Sequence, residues 1–551
     1  MKSLSSHNRG SLVMVLHAHL PYIRYPENEY HLEENWLYEA ITETYIPLLG
    51  VFGGLLNDGV DFRITLSLTP TLIEMFNDGL LMRRYQRHLN NLIELSEKEI
   101  FRTKGHLTLE PLAKMYHRKF SETKYLFEDT YRKDLTSAFG SLMNSGKVEI
   151  ITSAATHGYL PALMTEPMAV KAQIRLAADY FRTRFGRNPC GMWLPECGYM
   201  PGFDTLLSEV GAEFFFLESH GILSHKPKKN HDICSPVKTP SGAFAFVRDA
   251  ESSREVWSAK TGYPGDPDYR DFYRDIGFYL DLEYVRPYIP AGTRTFTGIK
   301  YFSITGQSGN KRLYIPEKAM KKAETHAEHF LESREKQVLF LNRKLKTKPL
   351  ITAAYDAELF GHWWSEGPEW LNFVFRKAAK KNRAFRFTTP SEYISGNNHV
   401  ETAVPSLSSW GHGGYSSTWI DESNSWIYRH LHRAAKQMTE SAAGNLNARG
   451  LVKRALNQSA RELLLAQSSD WAFMMKTGNA SGFARNKFRE HIENFLALQG
   501  ELDSGSINET KLAIIEGRNC IFPDLSYKVY IRDQDMRRRH ESHEFTAPTI
   551  L

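Results

Sequence analysis

The sequence predicts an α/β fold, built either as a parallel sheet or as an α/β barrel, with a helical region at the C-terminal end. Short apolar runs of strand length alternate with longer segments in helical spacing over most of the chain. After about residue 391 these short runs stop and long amphipathic segments follow. The length of 551 residues leaves room for two or three packed units.

The predicted strands are short apolar runs bounded by polar or turn-forming residues. In chain order they are Ser11–Leu16, Phe62–Leu68, Val148–Thr152, Gly191–Leu194, Ala212–Leu217, Ala243–Val247 and Leu350–Ala354. Helical spacing lies between them, as in residues 168–185 and 202–210. Candidate chemical residues stand just after several of these runs, and the carboxyl ends of strands are where α/β barrels gather their active sites.

Three segments depart from this alternation. Residues 77–139 are charged and helical in pattern without strand signals, which predicts a helical insertion packed outside the barrel. Residues 225–240 are rich in lysine and proline and predict an exposed, mobile loop. Residues 261–273 predict a second loop, with glycine and proline among aromatic rings.

The C-terminal region has a different pattern. Amphipathic segments near 423–443, 447–468 and 480–500 predict a helical domain. The predicted division is therefore a catalytic unit over residues 1–395 and a helical domain over residues 396–551.

The composition is that of an ordinary globular protein, with 42% hydrophobic and 24% charged residues and a net charge of +6. The basic cluster Arg537-Arg538-Arg539-His540 predicts a solvated tail, so we expect no nucleic-acid partner. The apolar run 12–16 is far too short for a secretion signal or a membrane span. The four cysteines show neither metal-site spacing nor a disulfide framework. We therefore expect a cytoplasmic protein with reduced thiols and no membrane partner.

The first candidate catalytic group is Glu196, which follows an apolar strand in the string Gly191-Met-Trp-Leu-Pro-Glu-Cys-Gly-Tyr199. With Trp193 and Tyr199 close by in sequence, this carboxylate suits a nucleophile held against a sugar ring. The alternatives are a structural salt bridge or a cap on the helix that follows Pro201.

The second candidate is Asp356, which ends the apolar strand 351–355 and precedes Glu358, His362 and two tryptophans. A general acid/base at this position needs a raised pKa, which burial and aromatic neighbours supply. Its alternative is an aspartate that caps the next helix. Together the two carboxylates predict a retaining glycosidase, whose carboxyl groups lie about 5–5.5 Å apart.

Three histidines follow predicted strands: His17 and His19 after the first, and His157 after a later one. The favoured interpretation is hydrogen bonding to sugar hydroxyls and to the carboxylates. A metal site with Asp356 is a second interpretation, because the His-x-His spacing suits zinc. Buried histidines satisfied by protein partners are the third.

Two further segments carry rings or acids near their turns. The glycine-rich stretch from Ser409 to Trp419 contains Trp410 and Trp419 and lacks the lysine of a phosphate-binding loop. Asp470 follows two serines and precedes a tryptophan. A sugar contact is one interpretation of Asp470; from the local string, capping of the next helix by Ser469 and Asp470 is favoured.

These strings, taken in order, resemble the five sequence regions of glycoside hydrolase family 57. They are His17-Ala-His-Leu-Pro21, Ile151-Thr-Ser-Ala-Ala-Thr-His157, Trp193-Leu-Pro-Glu-Cys-Gly-Tyr199, Tyr355-Asp-Ala-Glu-Leu-Phe-Gly-His-Trp-Trp364 and Ser468-Ser-Asp-Trp471. The run Glu-Leu-Phe-Gly-His-Trp-Trp and the tryptophan-bearing glycine loop are similar to the branching-enzyme subgroup.

The resemblance implies a distorted (β/α)7 barrel with helical insertions, and an all-α C-terminal domain that completes the glucan site. It implies no metal and no organic cofactor, retention of the α-configuration, and an α-glucan substrate such as amylose, starch or glycogen. By position Glu196 aligns with the nucleophile and Asp356 with the acid/base. The substrate-binding residues it implies are His17, His19, His157, Trp410, Trp419, Asp470 and either Arg270 or Arg274. Trp193 and His362 are added as substrate-binding candidates from their places beside the two carboxylates.

One departure from the family pattern concerns the loop over the site. Branching members of the family carry a tyrosine at the tip of this loop, whereas residues 225–240 contain none. A missing lid would favour water over a sugar acceptor, which leaves an α-amylase-like hydrolase as the alternative to a branching enzyme. A metal-dependent hydrolase and a non-catalytic glycan-binding protein are the rivals from other classes.

Overall fold

A computed structural model describes residues 8–223, 234–258, 260–289, 292–306, 311–345, 347–397 and 400–532 of the chain. Its strands belong to one sheet: β1 Gly10–Ala18, β2 Ile64–Leu68, β3 Val148–Ser153, β4 Gly191–Trp193, β5 Phe214–Leu217, β6 Val237–Lys238, β7 Phe244–Val247, β8 Leu350–Asp356 and β9 Phe385–Phe387. The predicted basic cluster at 537–540 and residues 225–233 of the predicted mobile loop lie outside the described residues.

The sheet curls into a distorted barrel of parallel strands. Its order is β6-β7-β5-β4-β3-β2-β1-β8, in which β6 alone is antiparallel, and β9 pairs with the start of β1 on the edge opposite β8. A parallel bridge between Arg248, just after β7, and Thr352 of β8 brings the two ends together, and the Asp249 N–H donates to the Thr352 carbonyl at 2.8 Å. The ring therefore contains seven parallel strands, and the predicted α/β barrel class is confirmed.

The predicted strand positions are confirmed, because each predicted apolar run overlaps one of the seven parallel strands. All nine residues of β1 are buried, as expected for a central strand of a parallel sheet covered on both faces. The sequence did not reveal β6 and β9, which have only two and three residues and so give no hydrophobic pattern.

The helices cover the outside of the barrel and form the C-terminal region. They are α1 Glu34–Ala40, α2 Ile46–Asn57, α3 Pro70–Asn77, α4 Gly79–Arg102, α5 Leu109–Tyr125, α6 Leu135–Asn144, α7 Leu160–Leu163, α8 Pro167–Phe185, α9 Phe203–Glu209, α10 His220–Leu223, α11 Ala250–Trp257, α12 Ile276–Tyr279, α13 Leu282–Val285, α14 Pro316–Lys344, α15 Gly367–Lys380, α16 Pro390–Gly396, α17 Trp426–Gly444, α18 Gly450–Ala466, α19 Ser469–Thr477, α20 Ser481–Ser504 and α21 Glu509–Arg518. Helices α4 and α5 occupy most of the range predicted as an insertion, between β2 and β3.

The last five helices form the predicted helical C-terminal domain; its boundary near residue 395 stays a prediction. Short contacts join this domain to the carboxyl end of β3. The Ser469 N–H donates to the His157 carbonyl at 3.0 Å, and the Thr156 hydroxyl donates to the Leu464 carbonyl. The start of α19 is thereby fixed over the open end of the barrel. Among the described residues, no helix has the length and hydropathy needed to cross a membrane.

Candidate active site

Side chains at the carboxyl ends of four strands meet at one end of the barrel. His17 of β1 lies in register with Ser67 of β2 on one side and with Asp356 of β8 on the other. His157 follows β3, and Glu196 follows β4 in the turn Pro195–Cys197. The convergence that the sequence predicted is therefore observed.

The Glu196 carboxylate is held by two donors from the C-terminal part of the chain. Trp410 Nε1–H donates to one carboxylate oxygen at 2.8 Å, and the Ser469 hydroxyl donates to the other at 2.8 Å. Glu196 itself has a left-handed backbone (φ 63°), which a non-glycine residue adopts only at a cost. This geometry is not that of a structural salt bridge, because the one basic group within 4 Å among the described residues is His157 at 3.8 Å, and burial lowers the pKa of that imidazole well below its usual value.

The Asp356 carboxyl is less constrained. It stands at the start of a short 3-10 turn without capping it, and no hydrogen bond to its side chain is formed by the described residues. Burial raises its pKa to about 6, against the opposing charges of Arg248 and His19. The alternative role of a helix cap is therefore wrong for this residue.

The pKa of Glu196 reflects both its burial and its neighbours. Burial raises the pKa of Glu196 to about 7; the hydrogen bonds from Trp410 and Ser469 lower it, and the charges of Asp470 and Asp356 raise it further. Asp356 and Glu196 therefore lie near enough at this end of the barrel for the charge of Asp356 to act on Glu196.

The three predicted histidines form one stack in which both nitrogens of each ring face protein atoms. The ring centroids of His19 and His157 are 3.7 Å apart and those of His17 and His157 are 5.0 Å apart. His17 contacts Ser67 at 3.0 Å and His157 at 2.9 Å, and His157 contacts Ser469 at 2.9 Å. These contacts favour a role in holding the site, and direct contact with a sugar stays a prediction.

His19 pairs with Asp470 across the two domains, with Nε2 2.9 Å from the carboxylate. Burial alone would lower the pKa of His19, but the charge and hydrogen bond of Asp470 raise it above its usual value. The same pairing lowers the pKa of Asp470 in spite of its burial. Neither side chain of the Ser469-Asp470 pair caps α19, so the capping role favoured from the local string is wrong.

The predicted tryptophans lie at different depths. Trp193 is fully buried and stacks on His17 with centroids 4.8 Å apart, while Trp419 is buried and stacks on Tyr159 at 4.8 Å. Trp410 is half-buried between Glu196 and the Arg248 guanidinium, which lies 5.2 Å from its ring centre. Of the three, Trp410 alone both contacts a candidate catalytic group and retains exposed surface.

The structure separates the two candidate arginines. Arg270 is buried and donates to Glu43 at 3.1 Å, and the same carboxylate lies 3.1 Å from His362 Nδ1. Arg274 is exposed and lies over the rings of Tyr279 and Phe302. Arg270 is therefore the one connected to the catalytic segment.

The sequence did not reveal how that segment is supported. Between α1 and α2 lies one turn of π-helix, Ile41–Tyr45, a feature that is frequent at functional sites. Tyr45 donates to Glu358 at 2.5 Å, and the His362 N–H donates to Thr44 at 3.3 Å. Glu358 also accepts from the His19 N–H at 3.1 Å. In the sequence, Glu358 stands two residues after Asp356, which could have indicated a supporting role for it. The π-helical turn has no sequence pattern from which it could have been predicted.

The residues that could hold a metal ion differ from those that the sequence predicted. Among the described residues, His19, His157 and Asp470 are the group whose ligand atoms lie within 4.8 Å of one another; His17 and Asp356 are not part of it. An ion bound there would have to compete with the hydrogen bond between His19 and Asp470 and with those of His157.

Comparison with known families agrees with this arrangement. The family model for glycosyl hydrolase family 57 matches residues 13–408. A second model, for the C-terminal domain of 1,4-alpha-glucan branching enzymes, matches residues 430–530. A 1,4-alpha-glucan branching enzyme of Thermococcus kodakarensis is 33% identical over 528 residues, which cover 90% of this chain and 74% of that protein.

Solved structures share the whole architecture. The alpha-amylase AmyC from Thermotoga maritima superposes with a TM-score of 0.89 at 42% identity, covering 95% of this chain and 99% of the other. A branching enzyme of the same family from Pyrococcus horikoshii superposes with a TM-score of 0.86 at 31% identity, covering 95% and 97%. The similarity therefore includes both a protein described as an alpha-amylase and one described as a branching enzyme.

Proposed function

The chain belongs to glycosyl hydrolase family 57, and from that premise we propose that it is a 1,4-alpha-glucan branching enzyme. The observation that carries the proposal is the pair of partly buried carboxyl groups, Glu196 after β4 and Asp356 at the end of β8, which both stand at the open end of the barrel and interact through charge. The match of residues 430–530 to the C-terminal domain of branching enzymes supports transfer as the outcome.

Glu196 suits the nucleophile and Asp356 the acid/base. Glu196 receives hydrogen bonds from Trp410 and Ser469, and such donors favour the carboxylate. Asp356 receives none from the described residues. A bound glucan would place its glycosidic oxygen, an acceptor, against Asp356 and displace water, and both changes favour the protonated acid.

The pKa values without substrate have the opposite order, about 7 for Glu196 and about 6 for Asp356. The proposed roles therefore need substrate binding to favour the protonated form of Asp356 and the ionised form of Glu196. The physical cause is the loss of water at Asp356, because Glu196 keeps both of its donors when the cleft fills.

The proposed reaction has two steps. A Glu196 oxygen attacks the anomeric carbon of an α-1,4 bond while Asp356 gives its proton to the leaving 4-oxygen, which releases one chain and leaves a glycosyl ester. In the second step Asp356 takes the proton from a 6-hydroxyl of another chain, whose oxygen attacks the same carbon and frees Glu196. Two inversions at one carbon retain the α-configuration.

An exposed ring beside the catalytic segment is the proposed platform for the glucan. Trp363 is 51% exposed and stacks on Phe272, with centroids 4.3 Å apart. The Lys300 ammonium lies 4.4 Å from the centre of the Phe272 ring, and His362 meets this ring edge-on. A flat ring fixed on one face and open on the other suits the apolar face of a glucose unit.

Hydrolysis of α-1,4-glucan is the second candidate, favoured by the 42% identity with the Thermotoga maritima protein described as an alpha-amylase. The two activities share the glycosyl ester and differ in the acceptor. We further propose glycogen or starch-type glucan as substrate and the cytoplasm as location, in keeping with four free cysteines.

The deciding experiment measures bond cleavage and branch formation together. Amylose is incubated with the wild-type protein and with Glu196→Gln as the inactive control, and reducing ends are measured before and after digestion by an α-1,6-specific debranching enzyme. Branching predicts few new reducing ends before debranching and many after it. Reducing ends that rise before debranching, with no further rise after it, would instead show a hydrolase.

A further inference from the structure

A continuous chain of hydrogen bonds runs from β2 to the Glu196 carboxylate. Ser67 Oγ lies 3.0 Å from His17 Nδ1, and His17 Nε2 lies 2.9 Å from His157 Nε2. His157 Nδ1 lies 2.9 Å from Ser469 Oγ, which is 2.8 Å from Glu196 Oε1. The four members before Glu196 are buried, so their hydrogen bonds are not exchanged with bulk water.

The direction of this chain follows from counting protons. An ionised Glu196 has none, so Ser469 must donate its only O–H to it and accept from His157. His157 then carries its proton on Nδ1. A neutral imidazole has one N–H, so His157 Nε2 must accept from His17 Nε2–H. His17 Nδ1 is left to accept from the Ser67 hydroxyl.

Both rings are neutral in this scheme, as burial requires. Burial lowers the pKa of His17 and of His157 well below the usual histidine value, and neighbouring histidines lower each further. If both rings were charged, two N–H groups would face each other between His17 and His157 at 2.9 Å.

We propose that Ser469 is a positioning residue that transmits the orientation fixed by His17 and His157 to the Glu196 carboxylate, and that the protonation state of Glu196 selects the tautomers of both histidines. The positioning part rests on the proposed function, because it takes Glu196 as the nucleophile. The tautomer part depends only on the hydrogen bonds.

The other groups that face Glu196 do not supply this connection. Asp356 and Asp470 act on it through charge alone, and Trp410 donates to the opposite oxygen. His19 stacks on His157 and interacts with Glu196 through its charge. The remaining titratable neighbours are Tyr159, Tyr428 and Cys197, each raised in pKa by burial.

Substitution of Glu196 by glutamine should reverse the whole chain. Trp410 Nε1–H can only donate, so the amide oxygen must face Trp410 and the amide N–H must face Ser469. Ser469 then donates to His157 Nδ1, which moves the His157 proton to Nε2. His157 now donates to His17 Nε2, so the His17 proton moves to Nδ1.

Neutron crystallography of the deuterated full chain tests this directly. At pH 8 the wild-type protein should carry deuterium on His157 Nδ1 and His17 Nε2, and Glu196→Gln should carry it on His157 Nε2 and His17 Nδ1. The same tautomers in both proteins, or two deuterons on either ring, would overturn the proposal. This measurement needs no activity, so it decides the hydrogen-bond chain even if the protein were inert on amylose.

The positioning role is tested by kinetics on amylose with Ser469→Ala. Loss of one charge-assisted hydrogen bond should lower kcat about 10- to 100-fold, with KM within about twofold. It should also move the acid limb of the pH profile of kcat upward by about one pH unit, because in the substrate complex that limb reports the ionisation of Glu196. Ser469→Thr keeps the hydroxyl and should restore the position of the acid limb.

The matched control is Ser459→Ala, which deletes another buried hydroxyl of the helical domain whose oxygen has no hydrogen-bond partner among the described residues. It should leave the pH profile unchanged. An acid limb that stays in place in Ser469→Ala, or that moves equally in Ser459→Ala, would show that Ser469 is only structural. A wild-type protein inert on amylose would instead refute the proposed function.

Discussion

Replacing Glu196 with glutamine should stabilise the protein at neutral and alkaline pH while it abolishes turnover. Burial raises the pKa of this carboxyl from 4.5 to about 7, so the folded protein resists its ionisation. One pH unit of pKa shift equals about 1.4 kcal/mol, so the ionised carboxylate costs the fold about 3 kcal/mol. Since a domain is stable by about 5–15 kcal/mol, the difference is measurable.

The sign follows from the direction of the shift. A carboxyl whose folded pKa is raised contributes stability that is full below its unfolded pKa of 4.5 and is lost as pH rises through about 7. The variant has no such titration. The stability difference should therefore be near zero at pH 4.5, grow through neutral pH, and level off near 3 kcal/mol at about pH 8.

Denaturant unfolding followed by tryptophan fluorescence measures this difference at both pH values. The control is Glu422→Gln, which removes the charge of an exposed glutamate. It should have a small effect on the unfolding midpoint, and that effect should be the same at the two pH values. If the midpoints of Glu196→Gln and wild type differ by the same amount at pH 4.5 and pH 8, folding does not raise the pKa of Glu196 and this prediction is wrong.

Three further outcomes are expected. The pH profile of kcat/KM should be bell-shaped with limbs near about 6 and about 7, because activity needs one proton on the pair Glu196 and Asp356; a single limb would contradict a shared proton. Tyr45→Phe should cost about 1–3 kcal/mol in denaturant unfolding and lower kcat, since it leaves the partly buried Glu358 without its hydroxyl donor. Trp363→Ala should raise KM for amylose up to about tenfold with kcat little changed, and an unchanged KM would remove it as a glucan platform.

The barrel and the two carboxylates could be predicted because both leave local signals. Each parallel strand is a short apolar run, since strands buried on both faces have no polar side to interrupt them. Glu196 and Asp356 stand just after such runs, and parallel strands bring their carboxyl ends to one edge.

The supporting contacts could not be predicted, because they join residues that are far apart in the chain. Ser469 contacts His157 across 312 positions, and a serine before an aspartate has the local pattern of a helix cap. Arg270 contacts Glu43 across 227 positions, and the π-turn that presents Glu43 has no sequence signature of its own. The sequence therefore predicted that the candidate groups gather at one end of the barrel, and the structure adds what orients them.

The backbone at the site explains why these orienting contacts are needed. His157, Glu196 and Cys197 have φ angles of 56°, 63° and 49°, a conformation that costs a non-glycine residue about 1–3 kcal/mol. In a regular strand ending, successive side chains would point to opposite faces, whereas the left-handed turn directs the Glu196 carboxylate between Trp410 and Ser469. Strain and a buried charge thus oppose folding at the same residue, and the hydrogen bonds from the C-terminal domain offset part of both. Trp410 and Ser469 therefore belong to the candidate site, because without them the turn at Glu196 would lose the contacts that hold it.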